Sequence, residues 1–278
     1  MESQPMCPPN RPGARSRGLA EMPVSQGTVV VTGATRGIGR AIAEAILARG
    51  GNVVAIARDR EALGELEASS PDRLRGLSAD LQDLDALTGL ASRAIAAFGH
   101  VDGLINCAGI AKYEPVGAIQ LASVEAQFAV NLIAPLLLSQ ALGEHLGERG
   151  GAIVNVSSTL SDRVAQNTVV YAASKAALNT ATKGLALELA PAGVRVNAVL
   201  PGGVETDMLR APRLRPGETL GPEEIEARVK SQLAGLAALH PLGRLGTPEE
   251  VAAVVIGVLD QTWQTGSLVT IDGGLSLA

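Results

Sequence analysis

The sequence predicts an α/β fold, a single doubly wound domain with a seven-stranded parallel sheet and helices on both faces. Three observations carry this expectation. From Thr28 onward, apolar β-branched runs alternate with segments of helical period, with no linker between them. The runs are apolar throughout, as in Val53-Val-Ala-Ile56, which is the pattern of strands covered on both faces. The first run also leads through a glycine-rich turn straight into a helix, the frame in which free backbone N–H groups meet an anion. Right-handed crossovers then place a ligand crevice at the C-terminal ends of the strands.

Residues 1–26 stand outside this alternation. Pro5, Pro8, Pro9, Pro12, Gly13 and Gly18 interrupt any periodic face, so a disordered extension is expected before a catalytic domain at 27–278. It lacks the apolar stretch of a secretory leader, and Met22 is a second candidate start. Strands are expected at 28–32, 52–57, 73–78, 101–106, 151–157, 194–200 and 267–271, and helices at 37–49, 60–67, 83–98, 123–145, 169–190 and 248–259. The first helix has Ile42, Ile46 and Leu47 on one face and ends at Gly50-Gly51. Asp59 falls where the second helix needs an N-cap. Ala172, Ala173, Ala176, Ala177 and Leu178 make the fifth a strong former. Thr247-Pro-Glu-Glu250 opens the last with a cap, a proline at the first position and an acid three residues after the cap. That helix, Val251–Leu259, is apolar nearly all round, so burial on both sides is expected, against the sheet and against a second subunit. Residues 207–242 hold Pro212, Pro216, Gly217, Gly221 and Pro222, and Glu223–Leu239 has helical period, consistent with a lid over substrate.

Composition narrows the functions. The 278 residues are 46% hydrophobic with a net charge of −5, and the bases are interspersed with acids, so no nucleic-acid footprint exists. Two cysteines, Cys7 and Cys107, make neither a disulfide framework nor a metal site, and Cys107 reads as a small core residue. No run is expected to span a bilayer, so no membrane partner and a cytoplasmic location are expected. Aromatic residues are 2% of the chain, leaving Tyr113 and Trp263 as candidates to stack on a flat ligand.

The chemistry centres on Tyr171 and Lys175, four residues apart and so one turn apart on one helix face. An ammonium there is expected to lower the phenol pKa and suit Tyr171 to proton transfer near neutrality. Ser158 follows the strand Ala152–Val156 and can hydrogen-bond a carbonyl oxygen that the phenol protonates. Alternatively, the pair merely shares an exposed helix face. At the other end, Gly33, Gly37 and Gly39 give Gly-x-x-x-Gly-x-Gly between strand and helix, a turn that lets backbone approach a pyrophosphate. The second strand ends at Ala57, where an acid would read a free ribose 2′-hydroxyl; Arg58 follows it, and Arg36 sits in the glycine turn. Two guanidiniums favour a 2′-phosphate and so NADP(H), whereas Asp59 as the reader would favour NAD(H).

These residues also carry a family resemblance. Thr32-Gly33…Gly39, Asp80-Leu81, Asn106-Cys107-Ala108-Gly109, Asn131, Ser158, Tyr171 with Lys175, Pro201-Gly202-Gly203-Val204-Glu205-Thr206 and Ile271-Asp272-Gly273-Gly274 stand in the order and at the separations of the short-chain dehydrogenases/reductases. The chain resembles that family from Val29 to Gly274, and Thr35–Gly39 with Gly243–Glu250 look most like its 3-oxoacyl-carrier-protein reductases and related carbonyl reductases. The resemblance implies a Rossmann-type domain in which Gly33, Ala34, Thr35, Arg36, Gly37, Ile38 and Gly39 wrap a dinucleotide pyrophosphate. Asp80 and Leu81 would lie at the adenine, Asn106, Ala108 and Gly109 along the ribose, and Pro201, Gly202, Val204 and Thr206 at the nicotinamide. Asp80 has a second reading, as a cap for the helix near Asp83. Asn131, Ser158, Tyr171 and Lys175 would form the catalytic set, with Asn131 interrupting its helix and Lys175 also holding cofactor ribose. The family's second asparagine is Cys107 here, which weakens side-chain support of that strand. A homotetramer is implied as well. The function expected is NADPH-dependent reduction of a small ketone, 3-oxoacyl or related, with an NAD-dependent alcohol dehydrogenase and a non-catalytic dinucleotide sensor as alternatives.

Overall fold

The computed structural model describes residues 23–214 and 218–278. Seven strands are β1 (Thr28–Thr32), β2 (Asn52–Ala57), β3 (Leu74–Ser78), β4 (Gly103–Asn106), β5 (Ala152–Val156), β6 (Arg195–Pro201) and β7 (Leu268–Ile271). They form one sheet in the order β3-β2-β1-β4-β5-β6-β7, every pair parallel. The helices are α1 (Gly37–Ala48), α2 (Arg60–Ser69), α3 (Leu87–Phe98), α4 (Leu121–Phe128), α5 (Ala134–Arg149), α6 (Val169–Leu189), α7 (Asp207–Arg210), α8 (Pro222–Ala238) and α9 (Pro248–Asp260). The chain reverses direction across the sheet between β1 and β4, so their C-terminal ends diverge and open the crevice.

The apolar runs explain themselves once the layers are in place. Val29, Val31, Val53 and Ala55 pack into the core under α1 and α9, while Val30, Val54 and Ile56 point into the core under α3 and α5. A strand residue alternates faces, and both faces here are dry. Asp59 caps α2 as expected, its Oδ1 accepting from the N–H groups of Glu61 and Ala62, both at 3.1 Å. Thr247 and Glu250 close the capping box of α9 at 3.3 and 2.9 Å.

The structure departs from the expectations at five places. Residues 24–26, placed in the extension, form a 3-10 turn in which the Ser25 N–H and hydroxyl donate to Asp260 at 2.8 and 2.7 Å; residues 1–22 lie outside the described residues. The helix expected from 83 begins at Leu87, because Asp80 and Asp83 bend the chain first by accepting from Gln82 N and Ala86 N. The helix expected over 123–145 is α4 and α5 joined by a π-helical turn, Ala129–Ile133. Taken through that turn, Leu121–Arg149 is long and apolar enough to cross a membrane, contrary to expectation; its Leu138, Leu142 and Leu146 are buried beneath α3 and the sheet. Lastly, α9 meets α1 as well as the sheet, the largest helix-to-helix contact among the described residues, and leaves Ala253 and Gly257 as its exposed strip.

Candidate active site

The first turns of α6 and the end of β5 meet at the mouth of the crevice. Tyr171 and Lys175 lie on one face of α6, 9% and 3% exposed, which removes the alternative of a shared solvent face. Ser158 follows β5 in extended backbone and caps a 3-10 turn, its Oγ accepting from Leu160 N at 3.1 Å. Its hydroxyl lies close enough to Tyr171 to oppose the rise of that phenol's pKa. The Lys175 Nζ donates to the Val156 carbonyl at 2.8 Å and stands 6.0 Å from the centre of the Tyr171 ring.

That placement corrects one expectation. Lys175 donates to a backbone carbonyl from over the Tyr171 ring, and the phenol pKa moves up on balance where a lowering was expected. Burial raises the Tyr171 pKa, Tyr113 adds to the rise, and the Ser158 hydroxyl opposes it. Burial also pushes the Lys175 ammonium down to about 8, with Cys107 opposing. The Cys107 thiol is driven up to about 12 by burial, with Lys175 opposing, so it packs as a neutral group, as expected.

Asn131 occupies the π turn, and its hydrogen bonds show why the helix opens there. Its Oδ1 accepts from Ile110 N and its Nδ2 donates to Ile110 O, both at 2.9 Å, and Nδ2 also reaches Ser174 Oγ at 3.0 Å. The side chain thus pairs with the strand-end loop like a short piece of backbone. Asn131 and Lys175 flank Gly109: a Cβ there would lie 3.4 Å from Asn131 Oδ1 and 3.6 Å from Lys175 Nζ.

A cavity of about 640 Å³ runs from Arg36, Arg58 and Asp80 at one end to Ser158 and Tyr171 at the other. Gly33, Thr35, Gly37, Ile38, Gly39, Leu81, Ala108, Gly109, Lys175, Pro201, Gly202, Val204 and Thr206 line it, as the sequence places them. Two expected cofactor residues do not. Ala34 is fully buried in the core under α1, and Asn106 turns away from the cavity to donate to Asn155 Oδ1 at 2.8 Å. Trp263 is 99% exposed and away from the cavity, whereas Tyr113 lines it.

The cavity fits a dinucleotide. Gly33 has φ +69°, and a Cβ on it would stand 2.9 Å from the Ala108 backbone; on Gly39 it would stand 2.2 Å from the Gly33 carbonyl. The turn therefore admits only glycine and leaves a backbone-walled cradle. No side chain caps α1 and no acid occupies its first turn, so its positive end faces the cradle unopposed. Thr32 Oγ1 fixes the facing loop, accepting from Cys107 N and Ala108 N, both at 3.0 Å.

Among the lining residues that sequence reasoning missed, three carry basic or imidazole side chains. His240 is 4% exposed; its Nε2 accepts from Gly203 N at 3.0 Å while Nδ1 faces the Leu236 carbonyl at 2.8 Å, which fixes the proton on Nδ1. It ties the end of α8 to the Pro201–Val204 loop. Arg163 and Arg213 also line the cavity, Arg213 stacked on Tyr113. A lone histidine and two arginines in irregular segments carry no periodic signal; only the tertiary fold brings them here.

Comparison with known proteins agrees with this geometry. Residues 27–216 match the short chain dehydrogenase family. Human L-xylulose reductase is 36% identical over 250 residues, covering 88% of this chain and 95% of that protein. The short-chain reductase NovJ of Streptomyces niveus is 36% identical over 261 residues, covering 91% and 96%. Among solved structures, a short-chain dehydrogenase/reductase from Brucella melitensis described as glucose/ribitol dehydrogenase superposes with a TM-score of 0.79 at 32% identity, covering 90% of this chain and 96% of that one. Ligand-free aldohexose dehydrogenase of Thermoplasma acidophilum gives 0.78 at 28%, covering 91% and 94%. The chain belongs to the short-chain dehydrogenase/reductase family of oxidoreductases, whose members work with nicotinamide dinucleotides and whose carbonyl reductases are among its relatives.

Proposed function

We propose that the protein is an NADPH-dependent carbonyl reductase that converts a small ketone, 3-oxoacyl or related, to a secondary alcohol. The observation that carries this reading is a buried tyrosine beside Ser158, kept protonated by burial, at one end of a cavity whose other end is a glycine cradle. The bound nicotinamide would supply hydride to the carbonyl carbon. Ser158 donates a hydrogen bond to the carbonyl oxygen, and Tyr171 gives that oxygen its proton as negative charge develops. A phenol whose pKa burial raises is protonated at neutral pH, the state in which it can donate to the developing alkoxide. Lys175 holds the cofactor ribose and supplies the nearby positive charge; Asn131 keeps the π turn and the Gly109 loop in place.

The choice of NADP(H) rests on the tip of β2. Ala57 is its last residue, Arg58 lines the cavity, and one oxygen of Asp59 already accepts two N–H groups of α2. Arg36 lines the same end and is 71% exposed, its nearest acid being Asp207 at 4.0 Å. Tyr171→Phe tests the chemistry: the variant should bind cofactor as the wild type does while ketone reduction falls about 10²–10⁴-fold. Turnover within a few-fold of the wild type would refute the assignment of Tyr171.

A further inference from the structure

We propose that Arg213 forms an anion subsite at the substrate end of the cavity, so that the ketone reduced is one bearing a carboxylate. The proposal deepens the carbonyl-reductase reading and rests on it. Arg213 lies between α7 and α8, half-buried, and lines the cavity with Tyr113 and Tyr171. Its guanidinium carbon stands 4.0 Å from the centre of the Tyr113 ring. Tyr113 in turn is near enough to Tyr171 to raise its pKa. The three side chains therefore run in sequence from the reacting hydroxyl to a cation.

That cation lacks the partner its burial calls for. The Arg213 Nε is buried with no hydrogen-bond acceptor, and among the described residues no carboxylate lies within ion-pair distance of its guanidinium. Arg163, also a lining residue, already donates to the Ala278 carbonyl oxygen at 3.3 Å. The backbone of Arg213 is held from both sides by α8, its N–H donating to Gln232 Oε1 at 3.2 Å and its carbonyl accepting from Arg228 at 3.4 Å. A fixed backbone, a stacked guanidinium and an empty donor make a built anion site rather than a loose surface charge. Much of the neighbouring wall is apolar, with Met208, Leu209, Leu236 and Leu239. One guanidinium in such a wall matches a monoanion; a phosphate dianion would require more donors.

The test uses ketones that differ only in charge: 3-oxobutanoate and 4-oxopentanoate against their methyl esters, with dihydroxyacetone phosphate as the phosphate arm. The wild type should prefer acid to ester in kcat/KM, and Arg213→Met should lose at least about tenfold on the acids while changing little on the esters. Arg213→Lys should recover part of the preference. No acid preference in the wild type, or an equal loss on acid and ester, would overturn the proposal and leave Arg213 as a latch on Tyr113. A stronger preference for the phosphate would overturn the carboxylate assignment. Calorimetric binding of the same pairs to the NADPH-loaded Tyr171→Phe protein, with and without Arg213→Met, separates the two readings. Acid-selective binding that depends on Arg213, in a protein whose wild type reduces no ketone, would uphold the subsite and sink the reductase.

Discussion

Lys175 is the residue whose burial has the most direct solution consequence. Its ammonium is pushed down to about 8 in the folded chain, against 10.5 for an ordinary lysine. Between those values the unfolded chain binds the proton that the folded chain has lost, so stability gained from this site rises with pH across that window. Cofactor binding should run the other way. If the ammonium grips ribose hydroxyls, binding above pH 8 must first return the proton, and affinity should fall by up to about tenfold per pH unit. Cofactor dissociation constants measured from pH 7 to 9.5 check this; a flat profile would remove Lys175 from the binding site. Because burial raises the Tyr171 pKa, a basic limb in kcat/KM near 8 should disappear in Lys175→Arg, whose guanidinium keeps its charge, and not move with Tyr171. Arg36 and Arg58 govern the other end. Removing either should weaken NADPH by about 10- to 100-fold with little effect on NADH, since a hydrogen bond to a charged group contributes about 1.5–3 kcal/mol. Equal weakening of both cofactors by Arg58→Ala would return the ribose-reading role to Asp59.

The segment from α7 to α8 is braced internally by side chains that serve as handles. Gln232 accepts from Arg213 N and donates to the carbonyls of Leu209 and Ala211 at 2.8 and 3.2 Å, bracing α7 against α8. Gln232→Leu removes three bonds at once, so trypsin should cut the variant near Arg210 or Arg213 faster than the wild type, and KM should rise more than kcat falls. Protection of the wild type by cofactor plus substrate would mark the segment as a lid; identical cutting of both proteins with and without ligands would mark it as passive. The alternation of strands and helices was legible because period and apolarity are local properties, and so were the caps at Asp59 and Thr247. Boundaries failed where a side chain overrode period: Asp80 and Asp83 delay α3, and Asn131 opens a π turn inside an apolar stretch. The site was legible where chemistry is written in spacing, as in Ser158, Tyr171, Lys175 and the glycine turn. Spacing could not show that the Asn106 amide donates to Asn155 across the sheet, and His240 and Arg213 were silent, because tertiary packing alone brings them to the cavity.

At the scale of the whole molecule, the sheet is closed on one side by the contact of α1 with α9 and clipped there by Ser25 and Arg49 on Asp260. Ile46 is fully buried in that layer, so Ile46→Ala should cost about 2–5 kcal/mol, read as a lower urea midpoint at unchanged m-value. A loss under about 1 kcal/mol would mean that the layer repacks freely. For the homotetramer that the family resemblance implies, and that we propose, the exposed Ala253 and Gly257 of α9 and the apolar Leu121, Val169 and Leu187, 72%, 48% and 79% exposed on α4 and α6, are surfaces that can serve. Light scattering on the purified protein would show a single-chain mass if they do not. The pairing of the first helix with the last also sets a timetable for synthesis. The apolar side of α1 leaves the ribosome roughly 200 residues before α9 does, and at about 5–20 residues per second it waits about 10–40 seconds for its cover. During that interval the nascent chain presents Ile42 and Ile46 to whatever else is nearby, so the step most exposed to aggregation is the wait for the final helix, and a stalled or truncated chain ending before Pro248 keeps that face open for good.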